Sequence, residues 1–144
     1  MNVETILRNK GSSVATIAPE DTLEAAIGLL RQLGIGAVVV SSDGETVVGI
    51  LSERDIVHAL AAHGGELLKL TVSAAMTRTV VTCEPEDTVA SLMAEMTNRR
   101  IRHLPVLRGG RLCGIVSIGD IVKNRLDEIE SEASSLRSFI VGAA

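Results

Sequence analysis

Apolar residues recur along this chain in two registers. Helical spacing appears at Leu23, Ala26, Ile27 and Leu30, and again at Val89, Leu92, Met93 and Met96. Each series predicts a helix with one buried face. Between and after them lie short runs with strand character. Residues 37–40 are continuously apolar, residues 41–44 (Ser-Ser-Asp-Gly) carry turn chemistry, and residues 46–51 return as a second strand. Further on, residues 104–107 and 112–116 form the same kind of hairpin around Gly109 and Gly110. A second helix is expected from Ser52 and another from Ser117.

The pattern is doubled. Val14-Ala-Thr-Ile-Ala-Pro-Glu-Asp-Thr22 corresponds to Val80-Val-Thr-Cys-Glu-Pro-Glu-Asp-Thr88, and Gly49-Ile-Leu-Ser-Glu-Arg-Asp-Ile-Val57 to Gly114-Ile-Val-Ser-Ile-Gly-Asp-Ile-Val122. The lead-ins Val3-Glu-Thr-Ile-Leu and Val72-Ser-Ala-Ala-Met also correspond. A unit of about 65 residues is used twice. Each unit reads strand, helix, strand, strand, helix, an α/β (α+β) arrangement. Pro-Glu-Asp-Thr closes the first strand and opens the helix, with Asp21 and Glu24 as the expected capping pair, and Gly34 stops it. So small a unit covers one sheet face with helices and leaves the other bare. Two units packed sheet to sheet about a pseudo-twofold axis remove that exposure. The expected division is residues 1–66, residues 67–126, and a C-terminal helical extension, 127–144.

The extension has its own pattern. Val122, Leu126, Ile129, Ala133, Leu136 and Ile140 are spaced four and three in alternation, an a/d seam. Such a seam serves either to pack the helix on its own domain or to receive a partner helix in a dimer. Its narrowness and its reach past the repeat favour the dimer.

Composition narrows the function classes. Hydrophobic residues make up 46% and charged residues 22%, so a packed core is expected. One Phe is the sole aromatic residue and the net charge is −4, which argues against nucleic acid as the main partner. No apolar run reaches the roughly 18–20 residues of a membrane span. No signal peptide opens the chain, and a cytoplasmic, reducing setting is expected. Cys83 and Cys113 lie apart, without zinc-ligand spacing, and read as small buried hydrophobes. His58 and His63 read as surface residues. Met76, Met93 and Met96 read as core. Gly34-Ile-Gly follows a helix and precedes a strand, the reverse of a dinucleotide fingerprint.

The chemistry concentrates at two strand-to-helix corners, Gly49…Ser52…Asp55 and Gly114…Ser117…Asp120. Ser-x-x-Asp is a capping box that needs no ligand. The same corner suits a ribose-phosphate. Helix N–H groups and a serine hydroxyl meet the phosphate, and the carboxylate accepts from the ribose diol. The pseudo-twofold would turn both corners toward a shared cleft. Arg54 lies within the first motif. Arg102 and His103 lie before the second unit's apolar strand, where unit one has Gly36 and Ala37. Arg54, Arg102 and His103 together would surround one phosphate, with Arg99 or Arg100 nearby.

Taken in order, these motifs resemble the CBS-domain family. The matching stretches are the two Pro-Glu-Asp-Thr segments, Gly34-Ile-Gly-Ala-Val-Val-Val40 with Ile101-Arg-His-Leu-Pro-Val106, and the two Gly-x-x-Ser-x-x-Asp corners, over roughly residues 3–126. The resemblance implies tandem units that dimerise and hold adenine nucleotides in two clefts between the units. By that resemblance Asp55 and Asp120 take the ribose hydroxyls, Ser52 and Ser117 lie by the phosphate, and Arg102 and His103 read it. The adenine rests on Val14, Ala15, Val80, Val81, Gly36 and Ala37. Ser52-Glu-Arg-Asp55 resembles small stand-alone bacterial members and points to AMP or NADH, with no obligatory cofactor. The expected function is a non-catalytic regulatory sensor acting on a separate effector protein. The alternative is a ligand-free structural dimer whose corners are only caps. An enzyme is disfavoured, because no acid–base pair is legible. Because unit one lacks the basic pair, the two sites are expected to differ, with Asp120 the more important aspartate.

Overall fold

The computed structural model describes residues 1–143; Ala144, the last residue of the expected extension, lies outside them. The chain runs α1 (Val3–Lys10), β1 (Thr16–Ile17), α2 (Leu23–Leu33), β2 (Ala37–Val40), β3 (Gly49–Ser52), α3 (Glu53–His63), a 3-10 segment (Gly64–Lys69), α4 (Val72–Ala75), α5 (Val89–Arg99), β4 (His103–Arg108), β5 (Arg111–Ser117) and α6 (Ile118–Ala143). In unit one β1 pairs parallel with β2, and β2 antiparallel with β3 in the register Ala37↔Ser52 to Val40↔Gly49. In unit two β4 and β5 repeat that hairpin with His103↔Ser117. The counterpart of β1 shrinks to a single parallel bridge, Cys83↔Val106.

Local chemistry moves some expected boundaries. The cap of α2 is Thr22, whose side chain accepts from the Ala25 N–H; Asp21 instead accepts from the Ala18 N–H, so the expected Asp21–Glu24 pair does not form. Gly34 does stop α2, in the left-handed conformation at φ 65°. The returning strand begins at Gly49 and not at Thr46. The Asp43 carboxylate takes the N–H groups of Glu45 and Thr46 and the hydroxyls of Ser41 and Thr46, and these bonds hold 41–46 as a turn. They also hold Asp43 well below the usual carboxylate range, the backbone bonds first. Met93, expected in the core, is 41% exposed, while Met96 is buried.

The packing crosses the covalent repeat. One core joins Leu23, Ala26, Leu30, Val38, Val40 and Leu51 with Val72, Ala75 and Met76 from the lead-in of unit two. The other joins Leu92, Met96, Leu104, Val106 and Val116 with Val3, Ile6 and Leu7 from the lead-in of unit one. The exchange is reciprocal in its hydrogen bonds. Val72 and Ser73 N–H donate to the Asp21 and Pro19 carbonyls, and Val3 and Glu4 N–H to those of Asp87 and Pro85. This explains the motif glycines. A Cβ on Gly49 would lie 2.6 Å from Met76 Sδ and 3.0 Å from the Thr77 carbonyl; one on Gly114 would lie 2.6 Å from a Leu7 methyl. Leu7 and Met76 hold corresponding places in the two lead-ins.

Strand β2 is buried along its whole length. Val38 and Val40 face the helices, while Val39 and Ala37 face away from them and are equally buried. The second face is covered because the two units pack sheet to sheet, as in a tandem CBS fold. Helix α6 leaves this body. Ile121 and Asn124 are buried against it, but Leu126, Leu136 and Ile140 are each 60% exposed. The seam therefore does not pack on its own domain. Among the described residues no helix is long and apolar enough to cross a membrane.

Candidate functional site

The corner between β3 and α3 is a complete capping box. The Ser52 oxygen accepts from the Asp55 N–H (3.3 Å), and Asp55 Oδ2 accepts from the Ser52 N–H (2.9 Å) and hydroxyl (3.1 Å). The structural role expected of the motif is thus real. It leaves Asp55 half-buried, with Oδ1 turned to the Thr77 hydroxyl at 3.0 Å. Thr77 is pinned there by a two-way backbone bridge with Ile50.

This corner opens onto a cleft of about 480 Å³. That volume lies within the roughly 300–1,000 Å³ of small-molecule sites. Unit one contributes Gly36, Ala37, Ser52, Arg54 and Asp55; unit two contributes Val80, Val81, Arg102 and His103. Arg100 also lines the cleft, and its carbonyl accepts from Arg54 at 3.2 Å. Arg99 does not; it pairs with Glu95 on the surface at 2.7 Å. In a chain of net charge −4, three arginines and a histidine thus line one wall system. Burial holds His103 below its ordinary 6.5; the Glu53 carboxylate opposes this, while Lys10 and Arg102 add to it.

The second corner caps α6 in the same manner. Asp120 Oδ2 accepts from the Ser117 N–H at 2.9 Å, and Ser117 Oγ accepts from the Asp120 N–H at 3.2 Å. It does not share the first cleft. Asp120 lines a separate one of about 210 Å³, beside Lys10, Lys123 and Asn124. The Lys10 ammonium lies 2.7 Å from Asp120 Oδ2. Despite desolvation, that contact and the Ser117 bond keep Asp120 below the usual carboxylate range. Val14 and Ala15 are half-buried and, like Ser117, line neither cleft. One expectation therefore changes: the two corners face different clefts, and the basic pair of unit two lines the cleft of Asp55.

Sequence reasoning missed Glu53, Thr77 and Thr79 in the large cleft. Glu53 was legible as the residue after Ser52. Thr77 was not, because only the exchange of lead-ins carries it to the first corner. Among the described residues no group of three His, Cys, Asp or Glu side chains could hold a metal ion. Burial pushes the Cys83 thiol up to about 12, which keeps it protonated and inert.

Comparison with known proteins agrees with this fold. The CBS domain profile matches residues 7–62 and 72–127. The crystal structure of the CBS-domain containing protein ATU1752 from Agrobacterium tumefaciens is 47% identical, with a TM-score of 0.84 over 87% of this chain and 99% of that one. The mitochondrial CBS domain-containing protein CBSX3 of Arabidopsis thaliana is 32% identical, across 97% of this chain and 72% of its own length. The CBS domain pair of protein MJ0100, solved in complex with 5-methylthioadenosine and S-adenosyl-L-methionine, is 25% identical, with a TM-score of 0.78 over 89% of this chain and 98% of that one.

Proposed function

Because the chain belongs to the CBS-domain family, with two copies of the domain in tandem, we propose that it is a non-catalytic regulatory module whose larger cleft binds an adenine nucleotide, AMP or NADH. One observation carries the reading: the Ser52–Asp55 corner opens into a cleft of about 480 Å³ that also presents Arg54, Arg102 and His103. A carboxylate for a diol and a cationic cluster for a phosphate are the two groups a ribose-phosphate requires. Ser52 and the N-terminus of α3 add donors for the phosphate. Val80, Val81, Gly36 and Ala37 supply an apolar floor for the base. That the MJ0100 pair was solved with two adenosine-containing ligands supports the same ligand class.

The ligand acts by shifting a conformational equilibrium. The exposed seam of α6 makes a homodimer the form that carries the shift to a separate effector protein. A cytoplasmic, reducing setting suits the free, buried thiol of Cys83.

The completed capping boxes favour a second reading, a ligand-free structural dimer. Caps alone, however, call for neither a cleft of this size nor four basic side chains around it. Titration calorimetry of the full chain separates the two. AMP or NADH should bind the wild type, and Asp55→Ala should weaken binding by about 10- to 100-fold, the loss of hydrogen bonds to a charged acceptor at about 1.5–3 kcal/mol. Asp55→Asn, which retains a capping oxygen, separates loss of the cap from loss of the charge. Absence of binding by every adenine nucleotide tried would leave the structural dimer standing.

A further inference from the structure

The two corners are related by the repeat, yet they are completed by different chemistry. At the first, Thr77 supplies two donors. Its N–H bonds the Ile50 carbonyl at 2.9 Å and its hydroxyl bonds Asp55 Oδ1 at 3.0 Å. At the second, Ile115 and Asp120 hold the places of Ile50 and Asp55. Here one ammonium does the work of both donors: Lys10 Nζ bonds the Ile115 carbonyl at 2.9 Å and Asp120 Oδ2 at 2.7 Å. Lys10 is the last residue of α1, the helix that crosses from unit one to pack on unit two. The exchange of lead-ins therefore delivers a cation to this corner.

The lining of the two clefts differs as well. Arg54, Arg100, Arg102 and His103 line the Asp55 cleft, whereas no arginine or histidine lines the Asp120 cleft. The second corner thus gains no arginine for a phosphate. Lys10, the cation in contact with Asp120, is already committed to that carboxylate and to the Ile115 carbonyl. A ribose diol would have to displace a charged, doubly bonded ammonium to reach Asp120.

We infer that Lys10 is a built-in counter-ion that closes the Ser117–Asp120 corner to nucleotide, so that each chain takes one ligand, at the Ser52–Asp55 corner. This rests on the adenine-nucleotide reading of the larger cleft. Asp120 is then a cap and an anchor for α1, and Lys10 is the residue that makes the repeat's two corners unequal.

The test is the stoichiometry of AMP binding by calorimetry, on the full chain as wild type, Lys10→Thr and Lys10→Gln. Threonine restores the residue type used at the first corner. Glutamine removes the charge with little loss of length, in case the shorter side chain loosens α1. The wild type should bind one equivalent per chain. At least one Lys10 variant should bind a second, and adding Asp120→Asn to that variant should abolish the second event alone. One equivalent in all three proteins overturns the inference and leaves the function standing. Two equivalents in the wild type also overturn it. No binding in the wild type with one equivalent in a Lys10 variant overturns the function and the single ligand at the Ser52–Asp55 corner, and upholds only the closure of the Ser117–Asp120 corner by Lys10. No binding in any of the three overturns both.

Discussion

His103 stands between charges from several elements: Glu53 at the start of α3, Lys10 at the end of α1, Asp120 in α6, and Arg102 beside it on the chain. Burial dominates and holds its proton affinity below the ordinary 6.5. Unfolding releases it to that ordinary value. Below about pH 6.5 the unfolded chain therefore binds more protons than the folded one, so stability is full above that pH and falls as the pH is lowered toward the folded value. Urea unfolding followed by far-UV circular dichroism should show the midpoint dropping across this window, and His103→Gln should flatten the drop. An unchanged slope in the variant would mean that other groups set it. Arg102 and His103 were legible in the sequence because they interrupt the approach to an apolar strand whose counterpart is Gly-Ala. Thr77 gave no such signal. Its role depends on a backbone bridge to Ile50, twenty-seven residues away in the chain.

At the scale of elements, helix periods, hairpins and capping corners were legible because each is a local pattern. Boundaries were less so. The Asp43 turn delays β3 because a carboxylate competes for the N–H groups that a strand ladder would use. The end of α5 is a sharper case. Gly34 ends α2 in the left-handed region, and the same place in α5 is held by Arg100 at φ 54°. A side chain there costs about 1–2 kcal/mol, and nothing in the residue type announces it. Arg100 also lines the large cleft, which is where strained residues tend to persist. Arg100→Gly should raise stability by about 0.5–1 kcal/mol, less than the full strain because glycine loses more entropy on folding. Denaturant titration with an unchanged slope checks this. A destabilised variant would show that the Arg100 side chain contributes more than its backbone costs.

For the whole molecule, the doubled unit and the sheet-to-sheet body followed from repetition and from the bare face each unit would otherwise expose. The exchange of α1 and α4 did not, because corresponding lead-ins look the same whichever core receives them. That exchange decides which corner meets Thr77 and which meets Lys10. The basic pair of unit two lines the cleft of Asp55, where unit two meets the corner of unit one. Helix α6, 26 residues and so about 39 Å long, carries its exposed seam well past the body. We expect light scattering to give twice the mass of the chain, and Leu126→Glu with Leu136→Glu to give the mass of one chain without loss of helix content. A wild-type monomer would remove the seam from the account.

The place where a nucleotide docks on the folded chain distinguishes the two corners. Backbone amide shifts recorded as AMP is added report that directly. The amides of Ser52, Val80, Val81, Arg102 and His103 should move together and saturate, while those around Lys10 and Ser117 stay still. Shifts centred on the Ser117–Asp120 corner, or none at all at saturating AMP, would contradict it.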